Sequence, residues 1–163
     1  MSSDEIQIRD YEYYNPGNSV STLQIGSGVQ CTSNGDYITI TTSTSGEKYV
    51  ELPVGLPSDF EFSVEVAELG AVNYYAWEIN NGQVYGYGAS NQGANLGNGT
   101  QYISNPSVKG SILTIKCQNG TTTVSCDGNT INSRNITFTS KTIGFYTNSG
   151  RVQHLKNIIL KSL

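Results

Sequence analysis

Polar and apolar residues alternate along much of this chain, and that period of two is the feature that most constrains its fold. The clearest case is residues 59–66, Asp-Phe-Glu-Phe-Ser-Val-Glu-Val, where every second side chain is apolar. Such a period is typical of a β-strand with one face covered by a core. The pattern predicts an inward face made of Phe60, Phe62, Val64 and Val66. Residues 111–117 repeat it, with Leu113, Ile115 and Cys117 inward.

Turn signals separate the alternating segments. They are Asn34-Gly35, Ser45-Gly46, Asn81-Gly82, Asn119-Gly120, Asp127-Gly128 and Ser149-Gly150. No segment has a helical period. About a dozen short strands joined by tight turns are typical of a closed or two-sheet β architecture. We therefore predict an all-β fold, a two-sheet antiparallel jelly-roll sandwich.

The length of 163 residues suits one domain, and neither an internal repeat nor a linker is visible. We assign residues 20–163 to a single sandwich. Residues 1–19 are either an N-terminal arm or the first edge strand, and they carry the aromatic stretch Tyr11-Glu12-Tyr13-Tyr14-Asn15-Pro16-Gly17.

Charge is scarce and unevenly distributed. The formal net charge is −4, and charged residues make up 13% of the chain. Residues 1–68 hold eleven acidic and two basic residues, whereas residues 69–163 hold two acidic and seven basic ones. Nucleic acid is excluded as a partner because there is no basic cluster. Membrane insertion is excluded because no apolar run approaches the roughly 20 residues that a spanning helix needs.

The three cysteines are predicted to be free. Asn119-Gly120 is the strongest two-residue hairpin signal, and its register sets Cys117 opposite Thr122 and Cys126 opposite Leu113. The two sulfurs are then about 13 Å apart along the ladder, too far for a disulfide. Free inward thiols and no visible signal peptide indicate synthesis in a reducing cytoplasm without Sec export, or a domain of a longer chain.

Three segments in this order resemble the concanavalin A-like lectin/glucanase superfamily, in its laminin-G-like branch. They are the Phe-rich strand at 59–66, the hairpin Leu113–Cys117 with Val124–Asn129, and the closing residues Ile143–Thr147 and Leu155–Leu160. The resemblance covers roughly residues 20–163. It implies a concanavalin A-like jelly roll with one concave face that is often used for carbohydrate binding. Fold alone does not establish that use.

The sequence departs from the glucanases of that superfamily at the carboxylates. Glu61 and Glu65 share a face but stand about 13 Å apart by strand rise, with Ser63 between them. Retaining enzymes hold their two carboxyl groups about 5–5.5 Å apart. We therefore predict a protein that is not an enzyme. A second carboxylate within about 6 Å of Glu78 in a cleft would reverse that interpretation.

Metal and cofactor sites have little support in the sequence. His154 is the single histidine, and we expect it to be exposed or on an edge strand. The loop Asp127-Gly128-Asn129 offers oxygen atoms that suit Ca²⁺, but Asp-Gly is first of all a turn signal. We expect no cofactor, with Ca²⁺ at this loop as the alternative.

The least ordinary segment runs from Leu69 to Val108, where Glu78 is the only charge among tyrosines, amides and seven glycines. Aromatic rings and neutral amides suit the apolar faces and hydroxyls of sugars. The candidate ligand-binding residues are Tyr74, Glu78, Tyr85, Tyr87, Asn91, Gln92, Asn95 and Tyr102. The same composition suits a protein–protein surface, and the aromatic residues and glycines can also serve the core and tight loops.

These observations lead to one functional hypothesis and one rival. The hypothesis is a non-catalytic, lectin-like module that binds glycan, displayed on a phage virion or within a larger surface adhesin. The rival is a structural virion protein, of a tail or a decoration, whose tyrosine-rich surface packs against neighbouring subunits.

Overall fold

The structure is a computed structural model that describes residues 5–42, 48–69, 74–79, 83–88, 93–102, 108–136, 138, 142–147 and 152–163. These residues contain sixteen β-strands, joined by turns and loops, and no helix. The strands are β1 (Gln7–Arg9), β2 (Glu12–Asn15), β3 (Gln24–Ile25), β4 (Gln30–Ser33), β5 (Ile38–Thr41), β6 (Lys48–Glu51), β7 (Phe60–Glu68), β8 (Tyr74–Ile79), β9 (Gln83–Gly88), β10 (Gly93–Asn95), β11 (Thr100–Tyr102), β12 (Ile112–Gln118), β13 (Thr121–Cys126), β14 (Asn129–Asn135), β15 (Gly144–Thr147) and β16 (Val152–Ser162).

The larger sheet has nine strands and is organised around β16. Its main order is β1-β2-β16-β7-β12-β13-β14, and β5 also pairs with β16 and with β4. β16 therefore bonds to β7 along one edge and to both β2 and β5 along the other. All these pairings are antiparallel, as are those of the other sheets. This confirms the predicted all-β antiparallel sandwich.

The second layer consists of two smaller groups of strands. One has the order β15-β6-β3 and the other the order β11-β10-β9-β8. They meet where β15 lies beside β8. Phe145 of β15 contacts Phe62 of β7 with ring centroids 5.7 Å apart, so this layer packs on the nine-stranded sheet through the core.

The core lies on the face that the alternation predicted. Phe60, Phe62, Val64 and Val66 of β7 are buried, and so are Leu113, Ile115 and Cys117 of β12. The intervening residues, among them Glu61, Ser63 and Glu65, are only half-buried and lie on the opposite, outer face. The period-two prediction is confirmed for both strands.

Tight turns set the register of the hairpins. Asn119 and Gly120 have φ angles of 51° and 77°, the left-handed pair that a type I′ turn requires. The resulting register sets Cys117 opposite Thr122 and Cys126 opposite Leu113, as predicted. All three cysteines are free; Cys117 and Cys126 are buried and Cys31 is half-buried.

The aromatic stretch near the N-terminus forms a hairpin of the nine-stranded sheet. β1 is the edge strand, and β2 pairs with β16 between residues 13–15 and 158–160. Tyr13 is 2% exposed, and its hydroxyl accepts a hydrogen bond from Asn15 Nδ2 at 2.8 Å. These residues are therefore part of the sheet and of its core. Within the described ranges, no helix has the length and apolarity needed to cross a bilayer.

A side chain at position 144 should destabilise the junction of β15 with β6. A Cβ built on Gly144 would stand 2.0 Å from the Val50 carbonyl oxygen, so Gly144→Ala forces the two strands apart. We expect a loss of about 1–3 kcal/mol or more in the free energy of unfolding, as for other overpacked sites, measured by urea denaturation. Gly35→Ala is the control, because no atom lies within 4 Å of its added Cβ, although its φ of 94° imposes backbone strain. A smaller loss at Gly144 than at Gly35 would contradict this account of the junction.

The native thiols should resist alkylation. Burial raises the pKa of the Cys31 thiol to about 11, and burial first, then the nearby Asp127 carboxylate, raises the pKa of Cys126. Thiolate is the reactive form, so iodoacetamide at pH 8 should label the folded protein slowly and all three thiols rapidly after denaturation. Mass spectrometry measures the label. Rapid labelling of the folded protein, or an intact mass showing a disulfide, would contradict the structure.

Candidate functional site

The Tyr- and Asn-rich segment forms the four-stranded group β8 to β11, and its register places the candidate residues relative to one another. Tyr74 pairs with Gly88, Gly88 with Gly93, and Gly93 with Tyr102. Directly paired residues share a face of a sheet. The result is one row across all four strands with tyrosine positions at its ends and glycine positions between them, spanning roughly 14 Å at the usual strand spacing.

A second row on the same face carries Asn95. It runs Ala76, Gly86, Asn95 and Thr100 across the four strands. Asn95 is half-buried, and its Oδ1 accepts a hydrogen bond of 2.7 Å from the Gly97 backbone N–H, which fixes the side chain. Glu78 lies two residues beyond Ala76 in β8, on the same face again. In the register of the four strands, this face therefore has the positions of two tyrosines, an asparagine and a glutamate, with positions of small residues between them.

The other two candidate tyrosines occupy positions of the opposite face. Tyr87 pairs with Ala94 and with Tyr75, while Tyr85 pairs with Trp77. Ala94 is fully buried, so its face is the one turned to the core. The candidate residues thus separate into an outer set, Tyr74, Glu78, Asn95 and Tyr102, and the positions Tyr85 and Tyr87 on the face of Ala94. Asn91 and Gln92 lie outside the described residues.

Tyr102 is exposed, as its place on the outer face predicts, and Gln101 of the same edge strand, the register partner of Ala94, is exposed as well. Tyr102 is 69% exposed, whereas Gly93, its direct partner, is buried. A tyrosine opposite a glycine covers backbone that the glycine leaves bare. Tyr102 lies directly opposite Gly93 in the register and still presents most of its surface to solvent.

Asparagine side chains fasten this sheet to the edge of the larger one. Asn98 and Asn132 exchange two amide hydrogen bonds, of 3.1 and 2.9 Å. Asn132 also donates to the Ala94 carbonyl at 3.2 Å, and Arg134 Nη1 donates to the Leu96 carbonyl at 2.7 Å. Asn132 is 5% exposed, so its bond to Ala94 is buried, whereas the bonds that involve Asn98 and Arg134 are partly exposed. These hydrogen bonds hold the end of β10 and the loop that follows Asn95 against β14, so the position of Asn95 relative to the larger sheet is fixed.

The carboxylates of the larger sheet are used in structural contacts. Glu65 Oε2 accepts a hydrogen bond of 2.6 Å from Asn157 Nδ2, and Glu68 forms an ion pair of 2.6 Å with Lys109. Glu61 is the register partner of Lys116 and of Lys161. Glu61 and Glu65 stand on the same outer face with Ser63 between them, as the sequence indicated. Glu78 pairs with Val84 in the register of β8 and β9.

The loop considered for Ca²⁺ is a hairpin turn whose aspartate is engaged by the protein. Asp127 Oδ1 accepts the Ile112 backbone N–H at 2.8 Å, and Cys126 Sγ lies 3.8 Å from Asp127 Oδ2. Within the described part of the chain, no group of three or more metal-ligating side chains occurs. The residues around Asp127 do not fit a calcium site.

His154 is neither exposed nor on an edge strand, so that expectation is wrong. It is half-buried in β16, between Thr39 of β5 and Glu68 of β7. Its Nδ1 lies 2.9 Å from Thr39 Oγ1, and its ring meets Tyr37 edge-on with centroids 5.5 Å apart. Burial lowers the pKa of His154, against the opposing effect of Glu68.

A polar row on the outer face of the nine-stranded sheet was not among the predicted site residues. The Tyr14 hydroxyl donates to Asn157 Oδ1 at 3.3 Å, and Asn157 in turn donates to Glu65. Beside this row lies a groove of about 360 Å³. Its residues are Gln7, Arg9, Glu12, Tyr13, Tyr14, Ile159, Leu160 and Lys161. The aromatic stretch at residues 11–17 is the sequence signal that could have found it.

Comparison with known proteins places the fold. No protein-family model matches the sequence, and no curated protein matches it. Among solved structures, the chain is similar to a protein of unknown function with a galectin-like fold from Bacillus subtilis, with a TM-score of 0.68 and 11% identity over 96% of this chain and 97% of that one. It is also similar to the carbohydrate-binding module CBM66 from Bacillus subtilis, with a TM-score of 0.62 and 11% identity over 86% and 96% of the two chains.

A third similar structure is that of a candidate glycosyl hydrolase from Parabacteroides distasonis, with a TM-score of 0.55 and 11% identity over 90% and 91% of the two chains. At 11% identity these likenesses show the fold alone. They support a β-sandwich related to the lectin and glucanase class, and the likeness to the galectin-like structure extends over nearly the whole of both chains.

Proposed function

We propose that the protein is a non-catalytic carbohydrate-binding module whose glycan lies on the outer face of β8 to β11. The observation that carries this proposal is the row of Tyr74, Gly88, Gly93 and Tyr102 across the four strands. The similarity in fold to a carbohydrate-binding module and to a galectin-like protein supports the same class of function.

The row suits a sugar chain for reasons of shape and chemistry. Tyrosine rings offer flat apolar surfaces for the C–H faces of sugar rings, and each hydroxyl adds a hydrogen-bonding tip. Glycine positions between them carry no side chain that would block a ligand lying across the strands. Asn95 on the neighbouring row provides an amide that both donates and accepts, and the Gly97 N–H already holds its Oδ1 in place.

The absence of a catalytic role is part of this proposal. The described acids Glu61, Glu65 and Glu68 are separated along β7, and two of them are bonded to Asn157 and Lys109. Glu78, on the outer face of β8, is then a hydrogen-bond acceptor for sugar hydroxyls. Display on a phage virion or a larger adhesin stays a prediction. The rival function, packing of this surface against other subunits, is decided by the same experiment.

Tyr102→Ala should weaken glycan binding by about tenfold or more, because it removes an exposed aromatic platform. A glycan array identifies ligands of the unmodified protein, and calorimetry then measures the affinity of the variant for the strongest one. Tyr11→Ala is the matched control, since Tyr11 is also an exposed tyrosine, at 52%, but lies in the turn between β1 and β2. Thermal unfolding verifies that both variants fold.

Two outcomes would count against the proposal. One is equal affinity of the Tyr102→Ala variant and the unmodified protein. The other is no response on the array together with a homo-oligomer that protects Tyr102, which would favour the structural rival. Tyr85→Ala and Tyr87→Ala extend the test to the other face. Selective loss of binding in those folded variants would move the ligand away from the outer row.

A further inference from the structure

We infer that the groove on the outer face of the nine-stranded sheet is a second binding site, for an acidic sugar residue such as a uronate. It is built by β1, β2 and β16 and has a volume of about 360 Å³. Small-molecule sites span about 300–1,000 Å³, so it is of a size for one or two sugar rings. This site lies on the nine-stranded sheet, whereas the proposed glycan row lies on β8 to β11, so the two sites are tested separately.

The base and walls of the groove share one face of the sheet. Tyr14 of β2 is the register partner of Ile159 in β16 and of Gln7 in β1. Tyr14 and Ile159 are half-buried, whereas their neighbours Tyr13 and Leu160 are buried in the core. A ring and a branched aliphatic chain therefore lie side by side with one surface open, which suits the apolar face of a pyranose.

Two cations lie beside this apolar base. Arg9 is exposed in β1 and Lys161 is exposed in β16, and both line the groove. Among the described residues, the ion pairs are Lys109 with Glu68 and Lys156 with Asp36, so neither groove cation takes part in one. Glu12 is the register partner of Arg9 and also lines the groove. The three charged residues that line the groove sum to +1 in a chain whose total is −4. Glu61 of β7 is the register partner of Lys161 but does not line the groove.

The position of Tyr14 is fixed by a hydrogen-bonded chain behind it. Its hydroxyl donates to Asn157, which donates to Glu65 at 2.6 Å. Asn157 has a φ of 48°, within a register shift of β16 against β7 between Lys156 and Ile159. Backbone strain of this kind is concentrated at functional sites. The bulge aims an amide at Tyr14 that regular pairing would not provide.

The chemistry of the groove favours a carboxylate on a sugar over a neutral sugar. A guanidinium binds a carboxylate through two parallel hydrogen bonds, and an ammonium adds a point charge. In this site Tyr14 and Ile159 contact the apolar face of the sugar ring, while Gln7 and Glu12 form hydrogen bonds with the sugar hydroxyls. A neutral sugar would offer neither cation a negatively charged group.

The experiment titrates the full chain with oligogalacturonate and with the same oligosaccharide after reduction of its carboxylates to alcohols, by calorimetry. Alginate and hyaluronate oligosaccharides supply mannuronate and glucuronate as further uronates. We expect at least one of these oligosaccharides to bind about tenfold or more tightly in its acidic form than in its reduced form. The reason is that reduction of the carboxylates removes the charge-assisted hydrogen bonds. Higher ionic strength should weaken the acidic interaction.

The variants are Arg9→Gln and Lys161→Gln, singly and together. Both positions are exposed, so the fold should persist, as thermal unfolding verifies. We expect the double variant to lose about tenfold or more of its affinity for the acidic oligosaccharide. Lys116→Gln is the matched control, because Lys116 is an exposed lysine of β12 that pairs with Glu61 and does not line the groove. It should leave the affinity unchanged.

Three results would overturn the inference. They are the absence of binding to every uronate oligosaccharide, equal binding of each acidic oligosaccharide and its reduced form, and an equal effect of Lys116→Gln and the groove variants. The row on β8 to β11 is judged independently, through Tyr102→Ala and neutral glycans. Loss of neutral binding in Tyr102→Ala with uronate binding retained would support both sites as separate.

Discussion

The three-way pairing of β16 is the constraint on which the larger sheet depends. This strand bonds to β7 along one edge, and β2 and β5 share its other edge. β5 pairs with residues 152–155 of this strand and β2 with residues 158–160. Asn157 lies between the two segments, with a left-handed backbone and its N–H donated to the Pro16 carbonyl at 3.1 Å. Asparagine tolerates this conformation better than most residues with a side chain.

The two layers of the sandwich have different surfaces, and the charge asymmetry of the sequence explains why. Acidic residues of the first half meet basic residues of the second half on the nine-stranded sheet, as in Glu68 with Lys109 and Asp36 with Lys156. The strands β8 to β11 carry a single formal charge, at Glu78. The strands β8 to β11 therefore offer an aromatic face with one charged residue, whereas the nine-stranded sheet has charges of both signs.

Local patterns in the sequence predicted the core face of β7 and the hairpin turn between β12 and β13, whereas the predicted turns at 45–46, 81–82 and 149–150 lie outside the described residues. The alternation at residues 60–66 specified which side chains enter the core, and Asn119-Gly120 specified a register accurate enough to separate Cys117 from Cys126. Such local patterns do not predict which strands pair when the strands are far apart in the sequence. The central position of His154 follows from β16 lying between β5 and β7, and the opposite faces of Tyr87 and Asn95 follow from the burial of Ala94. The aromatic stretch at residues 11–17 points to one wall of the groove at Tyr14, but the other wall comes from β16, a pairing that no local pattern reveals.

The pairing of β2 with β16 also has a consequence for how the chain reaches its folded state. The Tyr14–Asn157 hydrogen bond joins residues 143 positions apart, and β5 and β7, which pair with β4 and β12 on one edge, obtain their second neighbour only when residues 152–162 are present. Chains dominated by contacts between distant residues fold slowly, because loop closure precedes the stabilising contacts. During synthesis on the ribosome, β2, β5 and β7 each have an unpaired edge until β16 emerges. Such edges are where strands of other molecules can pair, so the interval before β16 arrives is when this sandwich is most prone to aggregate.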